Sequence, residues 1–303
     1  MQTILGSGGI IGTELAKNLI QYTQKIRLVS RSPKQVNPTD ETMADNLINE
    51  EQVNKAVKGS EIVYLTVGLV YKLSVWEEQW PSIMTNVINA CKEHNAKLVF
   101  FDNVYMYGKV DGWMTEESPM NPCSKKGEIR ARITQQLMDE VNSGKLTALI
   151  VRSADFYGPN AKTTFVHSMV FEKLKNGKKA YWLVDDKVKH SHTYTPDAGK
   201  ATALLGNTKS AYNQIWHLPT DRNVLTGKEF IEKVAEAYRV KPKYSVMSKW
   251  MMKLAGLFNP LAKESLEMLY QNEFDYLFDS TKFEKAFFKA TPYQAGIKQI
   301  VNG

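Results

Sequence analysis

Along the first half of the chain, hydrophobic and polar positions switch between two rhythms. Short apolar runs of strand length fall at Thr3-Ile4-Leu5, Lys25 to Arg31, Glu61 to Val67, Leu98 to Phe101 and Leu146 to Val151. Segments with helical spacing lie between them: Ile11, Leu15 and Leu19, then Glu50 to Val57, Trp80 to His94 and Ser124 to Asn142. Ile83, Val87, Ala90 and Cys91 share one face of the third. Continuous apolar runs suit strands buried on both sides, and their exchange with helices predicts an α/β fold, a doubly wound parallel sheet.

The second half has a different texture. Pro159 to Lys189 mixes a helix with Tyr181-Trp182-Leu183-Val184, His192 to Ala198 leads into a helix, and Gln214 to His217 reads as one more strand. From Thr226 onward the pattern is mainly helical and rich in Met, Trp and Phe. Its stripe Trp250, Met251, Met252, Leu257 and Phe258 is expected to form lobe core, a lid over an apolar substrate being the alternative. The expected organisation is a domain over residues 1–158, rejoined by 193–218, with a smaller, mainly helical C-terminal lobe from 159–192 and 219–303.

The first strand runs straight into Gly6-Ser7-Gly8-Gly9-Ile10-Ile11-Gly12, with glycines at 6, 9 and 12, and the first helix follows at once. A strand, a glycine turn and a helix start hold a diphosphate well, because unpaired N–H groups and the positive end of the helix dipole face the turn. The context makes this a dinucleotide-binding loop of Rossmann type. Ligands in such sheets lie beyond the carboxyl ends of the strands, which places Thr66-Val67-Gly68, Asp102 to Tyr107 and Asp155 to Tyr157 on one rim with the loop. An acidic residue ending the second strand takes the ribose hydroxyls in NAD-binding units. Ser30 stands there, followed by Arg31 and Ser32. A missing carboxylate beside a guanidinium suits a 2′-phosphate, so NADP is the expected cofactor, with NAD possible.

Bulk properties narrow the rest. The 303 residues are 43% hydrophobic and 23% charged, an ordinary globular composition. The net charge of +7 comes from scattered lysines without an aromatic-basic array, so no nucleic-acid partner is expected. No apolar run approaches the roughly 20 residues of a membrane span, and no membrane partner is expected. The first residues read as the first strand and not as a signal peptide. Two cysteines, Cys91 and Cys123, make no disulfide framework, which fits a reducing cytoplasm, and a monomer or homodimer is expected. His190-Ser191-His192 lacks further ligands nearby in sequence, so no metal site is expected.

An ordered set of motifs resembles the extended short-chain dehydrogenase/reductases, the NAD-dependent epimerase/dehydratase group. It comprises the glycine loop, Asp45, Thr66-Val67-Gly68, Val104-Tyr105-Met106-Tyr107-Gly108, Arg152 with Tyr157-Gly158-Pro159, Tyr194 to Ala198, and Asp279-Ser280-Thr281-Lys282. The resemblance spans nearly the whole chain. With it, the expected cofactor-binding residues are Gly6, Gly9, Ile10, Ile11, Gly12, Ser30, Arg31, Ser32, Asp45, Asn46, Thr66, Val67, Gly68, Lys126 and Asp155.

The departures concern the chemistry. The family's acid/base is a Tyr with a Lys four residues on, assisted by a Ser or Thr after the fourth strand. That Ser/Thr place is Asn103 here, and Asn121-Pro122-Cys123-Ser124-Lys125-Lys126 offers no Tyr-x-x-x-Lys. This resembles the atypical branch of the family, in which the cofactor fold persists without the standard catalytic set. The asparagine of the family's R-x-x-N is Asp155, whose charge disfavours a nucleotide diphosphate. The candidate catalytic residues are Asn103 as a hydrogen-bond donor, Tyr105 as a phenolic donor and Lys126 as a ribose-binding cation, while Tyr107 is expected to pack under its loop. Asn103 and Tyr105 share a side if their segment stays extended. The expected activity is NADPH-dependent reduction of a small carbonyl, enone or quinone-like molecule. A non-catalytic NADP-binding redox sensor and a nucleotide-sugar epimerase or dehydratase are the alternatives.

Overall fold

The computed structural model describes residues 1–303. In chain order its elements are β1 (Gln2–Leu5), α1 (Ile10–Leu19), β2 (Ile26–Ser30), β3 (Glu41–Ala44), α2 (Glu50–Val57), β4 (Ile62–Leu65), α3 (Leu73–Glu93), β5 (Lys97–Asp102), β6 (Trp113–Met114) and α4 (Lys125–Asn142). There follow β7 (Ala148–Arg152), β8 (Asp155–Tyr157), α5 (Glu172–Lys175), β9 (Ala180–Leu183), β10 (His192–Tyr194), α6 (Thr195–Gly206) and β11 (Ile215–His217). The C-terminal stretch carries α7 (Gly227–Tyr238), β12 (Tyr244–Met247), α8 (Lys249–Gly256), α9 (Pro260–Ser265), β13 (Leu277–Phe278), α10 (Thr281–Ala286) and α11 (Tyr293–Asn302).

Seven strands form one sheet in the order β11-β7-β5-β4-β1-β2-β3, and every pairing is parallel. The chain reverses its direction of progress across the sheet between β1 and β4, so a crevice opens beyond the ends of these two strands. Each face is sealed by its own apolar layer. Trp76, Trp80, Ile83, Val87, Ile129, Ile133 and Leu137 cover one, from α3 and α4. Leu15, Leu19, Ala198, Ala201 and Leu205, from α1 and α6, cover the other. Burying a side chain such as Leu or Ile contributes about 1.5–3 kcal/mol, so these layers fix the strands and, through them, the rim. Helix α3 starts before the expected Trp80, because Trp76, one turn earlier, already belongs to its buried stripe. Strand β3, which carries no apolar alternation, extends the sheet beyond the strands read from the pattern.

The C-terminal part holds a core of Tyr157, Phe171, Trp182, Tyr194, Phe230 and Tyr293. It is less purely helical than expected, since three two-stranded parallel pairs, β8 with β10, β9 with β12 and β6 with β13, tie it together. The stripe expected to be lobe core is a correction: Met252 is buried, but Trp250, Met251, Leu257 and Phe258 are exposed. Helix α8 turns one residue inward and the rest of its apolar side outward. No helix is long and apolar enough to cross a membrane.

Candidate active site

The glycine loop is built where the crevice opens. Gly6 has φ +98°, and a Cβ there would overlap the backbone of Val67, so the ends of β1 and β4 meet at a place only glycine fits. A Cβ on Gly12 would stand 2.7 Å from Ser7 Cα, which lets the first turn of α1 close on the loop. Gly9 caps α1 through its backbone alone, leaving the N–H groups around Ile10 and Ile11 without a side-chain partner. Thr66 N–H donates to the Leu5 carbonyl at 2.8 Å, while Val67 and Gly68 continue the rim. Asp45 N–H donates to the Ser30 carbonyl at 3.0 Å and brings Asp45 and Asn46 to the end of β2. The hydroxyls of Ser7 and Ser30 and one carboxylate oxygen of Asp45 are buried with no hydrogen-bond partner. Buried polar atoms are ordinarily paired, so unpaired ones around a glycine cradle fit a polar dinucleotide. Burial also raises the Asp45 carboxyl, against the lowering charges of Lys55 and Arg27. Arg31 and Ser32 are exposed just beyond β2.

The segment after β5 does not stay extended. Asn103 Oδ1 accepts the Tyr105 N–H at 3.0 Å, and Tyr105 to Tyr107 form one 3-10 turn. Asn103 and Tyr105 therefore do not share a strand face, which corrects the alternation argument. Tyr105 stacks on Trp76 with ring centroids 6.2 Å apart, and Tyr71 meets Trp76 edge-on at 5.8 Å. Burial, then the charge of Asp155, pushes the Tyr105 phenol up, so it stays protonated. Tyr107 is fully buried, as expected, with its hydroxyl receiving Arg152 Nη1 at 2.6 Å and lying 2.9 Å from His217 Nε2.

Lys126 sits at the start of α4 but presents no free ammonium. It is fully buried, and its Nζ donates to Glu264 Oε2 at 2.9 Å, the Glu264 carbonyl at 3.0 Å and Glu267 Oε1 at 2.7 Å. The hydrogen bond from Lys126 holds the Glu264 carboxyl below its ordinary range. One turn on, Arg130 Nε donates to Asp102 Oδ1 at 2.7 Å, and Arg130 Nη2 reaches the same oxygen. Thr134 and the Asn103 N–H also donate to Asp102. Lys126 and Arg130, four residues apart on α4, are thus both engaged by carboxylates.

A further pair faces the same rim. His190 Nε2 lies 2.9 Å from Asp155 Oδ2, because β8 and β10 run in register with Asp155 opposite His192. His190 is almost fully buried, whereas 45% of the Asp155 side chain is exposed. Burial would raise the Asp155 carboxyl, but the hydrogen bond and charge of His190, with the charge of His192, outweigh it and leave it lowered. Tyr276 stacks on His190 with centroids 4.4 Å apart, and its buried hydroxyl has no partner. Sequence reasoning missed His190, Tyr276, Tyr71, Trp76, Arg130, Glu264 and Glu267. The one available signal was the alternation His190, His192, Tyr194 leading into the Tyr-x-x-Asp-Ala motif. No group of three or more His, Cys, Asp or Glu side chains is arranged to hold a metal ion.

The same architecture occurs in solved structures. The UDP-glucose 4-epimerase of Thermus thermophilus in complex with NAD superposes with a TM-score of 0.80 at 18% identity, over 100% of this chain and 98% of that one. A double mutant of the dTDP-glucose 4,6-dehydratase of Streptomyces venezuelae, with NAD bound, gives 0.82 at 14% identity, over 100% and 96%. The UDP-N-acetylglucosamine 4-epimerase of Methanobrevibacter ruminantium, in complex with UDP-N-acetylmuramic acid, gives 0.81 at 17%, over 99% and 96%. At these identities the likeness is one of fold. No curated protein matches the sequence. Residues 3–216, from β1 and its glycine cradle to β11, match the model of the NAD dependent epimerase/dehydratase family. With that match across most of its length and the cradle built as described, the chain belongs to the NAD-dependent epimerase/dehydratase family.

Proposed function

We propose that this protein is an NAD(P)-dependent oxidoreductase that reduces a small carbonyl compound carrying a hydrogen-bond donor beside the carbonyl, with NADP(H) preferred. The observation that carries this reading is geometric: a phenol, Tyr105, stacked on Trp76, and a carboxylate, Asp155, held by His190, stand on one rim. A neutral phenol can donate a hydrogen bond to a carbonyl oxygen, and a carboxylate can only accept one. The cradle of Gly6, Gly9 and Gly12 would hold the diphosphate of the cofactor, whose nicotinamide would supply hydride chemistry. Tyr105 donates to the carbonyl oxygen as negative charge develops there, and Trp76 holds its ring in place. Asp155, fixed by His190, accepts the neighbouring O–H or N–H of the substrate and orients it. Lys126, held by Glu264 and Glu267, would reach a ribose only if those glutamates released it. Ser30, Arg31 and Ser32 favour a 2′-phosphate through the missing carboxylate and the exposed guanidinium.

A second reading, a nucleotide-sugar epimerase or dehydratase, is favoured by the substrates named for the structural neighbours. The Asp155 charge stands against it, because a diphosphate and a carboxylate repel. One experiment separates the readings. NADPH and NADH oxidation is followed with a panel of hydroxy- and amino-substituted aldehydes and ketones, enones and quinones, and product formation is followed in parallel with NAD and UDP- and dTDP-sugars. Turnover of panel carbonyls with NADPH is the expected result. Turnover confined to nucleotide sugars overturns the proposal, and cofactor binding without turnover of either set favours the redox sensor.

A further inference from the structure

We propose that the α8–α9 hairpin is a docking surface for an anionic lipid bilayer, into which its tip inserts. Trp250 and Leu254 lie on α8 on the side away from buried Met252, and Leu257 and Phe258 follow in the turn that ends it. Trp250 is 70% exposed, Leu254 45%, Leu257 74% and Phe258 85%, and Leu261 on α9 adds 60%. Single exposed apolar residues are ordinary on a protein surface, whereas a contiguous cluster that includes Trp and Phe marks a contact.

The charge around this cluster selects the occupant. Between Ser248 and Lys263 the chain carries Lys249, Lys253 and Lys263 and no acidic residue. Lys249 is paired with Glu273, but Lys253 and Lys263 are exposed and in no ion pair. Glu264, the first acid after this stretch, is turned inward to Lys126 and the Leu73 N–H and does not neutralise the surface. An apolar face edged by lysines is the pattern of a helix lying in a membrane interface, where the lysine stems follow the hydrocarbon and their ammonium groups reach the headgroups. A second copy of the same face would set lysines against lysines. The cluster is centred on the turn Leu257-Phe258-Asn259 between α8 and α9, where Leu257 and Phe258 are its most exposed apolar side chains. Such contact needs no spanning helix, so it is compatible with the lack of one. It extends the partners expected from the sequence, which included no membrane. Because Glu264 at the end of α9 grips Lys126, the inserted tip is coupled to the rim of the candidate active site.

The test is co-sedimentation of the full chain with vesicles of phosphatidylcholine alone and of phosphatidylcholine with phosphatidylglycerol. Wild type, Leu257→Glu/Phe258→Glu and Lys253→Glu/Lys263→Glu are compared, with circular dichroism as the control for folding. Wild type is expected to sediment with the anionic vesicles and to partition about tenfold or more weakly in either variant and on neutral vesicles. The proposal is overturned if wild type stays in solution with both vesicle types, or if all three proteins bind alike. It is also overturned if sedimentation velocity finds a lipid-independent dimer that Leu257→Glu/Phe258→Glu dissociates.

Discussion

Mild acid should destabilise this protein through two buried imidazoles. His217 lies wholly inside, between the Tyr107 hydroxyl and the Asp279 carbonyl, and burial pushes it down to about 3. His192, closed in by Trp182 and Phe230, is likewise pushed down to about 3, by burial first and then by the charge of His190. In the unfolded chain both titrate near 6.5. Native values below the unfolded one mean that stability is whole above about pH 6.5 and is lost as pH falls from there toward 3. At pH 5 the unfolded chain has bound nearly one proton at each site and the native state almost none. Integrated from pH 7, that amounts to about 2 kcal/mol per histidine, or about 4 kcal/mol for the two. His167, also lowered by burial, acts in the same direction. Against a typical stability of about 5–15 kcal/mol the loss is large. Urea unfolding at pH 7 and pH 5, for wild type and His217→Gln, measures it. The variant should lose stability at both pH values but show about half the wild-type difference between them. Equal wild-type stability at the two pH values, or an undiminished difference in His217→Gln, refutes the reasoning.

Three further outcomes are expected. Asp102→Asn removes the carboxylate that Arg130 and Arg152 share and should cost about 3–5 kcal/mol in urea unfolding at pH 7, since it strands buried guanidiniums; a loss under about 1 kcal/mol contradicts this. Arg31→Ala should weaken NADPH binding by about tenfold to a hundredfold in calorimetric titration and leave NADH binding unchanged, the value of one charge-assisted contact. Once a carbonyl substrate is in hand, Tyr105→Phe should lower kcat by about 10²–10³, while Asp155→Asn should act mainly on KM for substrates bearing the adjacent donor; an unaffected kcat in Tyr105→Phe moves the proton donor elsewhere.

What could be read from the sequence was what is local. Glycine at 6, 9 and 12 follows a strand and opens a helix, and every part of that inference lies within a dozen residues, so the cradle was legible. Strand β3 was not, because Glu41-Thr42-Met43-Ala44 lies at the sheet edge, mostly exposed, and shows no apolar alternation. The stripe on α8 was legible as a helical face but not as an outward one, since periodicity groups residues on a side without saying what covers that side. The fate of Lys126 depended on Glu264 and Glu267, which reach it from the far end of the chain. Asp155 and His190 were both visible as residues, but their contact comes from the β8–β10 register, a long-range fact.

The three short parallel pairs have a consequence for the order in which the molecule is made. Six strands of the main sheet are complete once β7 has been synthesised, and only β11 joins later. The Asp155–His190 contact waits for β10, the Lys126 clamp waits for Glu264 and Glu267, and β6 has no partner until β13 emerges. Closing such long loops is slow and follows local structure. On the ribosome, then, the cofactor-binding half can fold while its substrate side is still being translated. A chain that stops before residue 190 would retain the cradle and six strands of the main sheet but lack both the His190 partner of Asp155 and the glutamates that clamp Lys126.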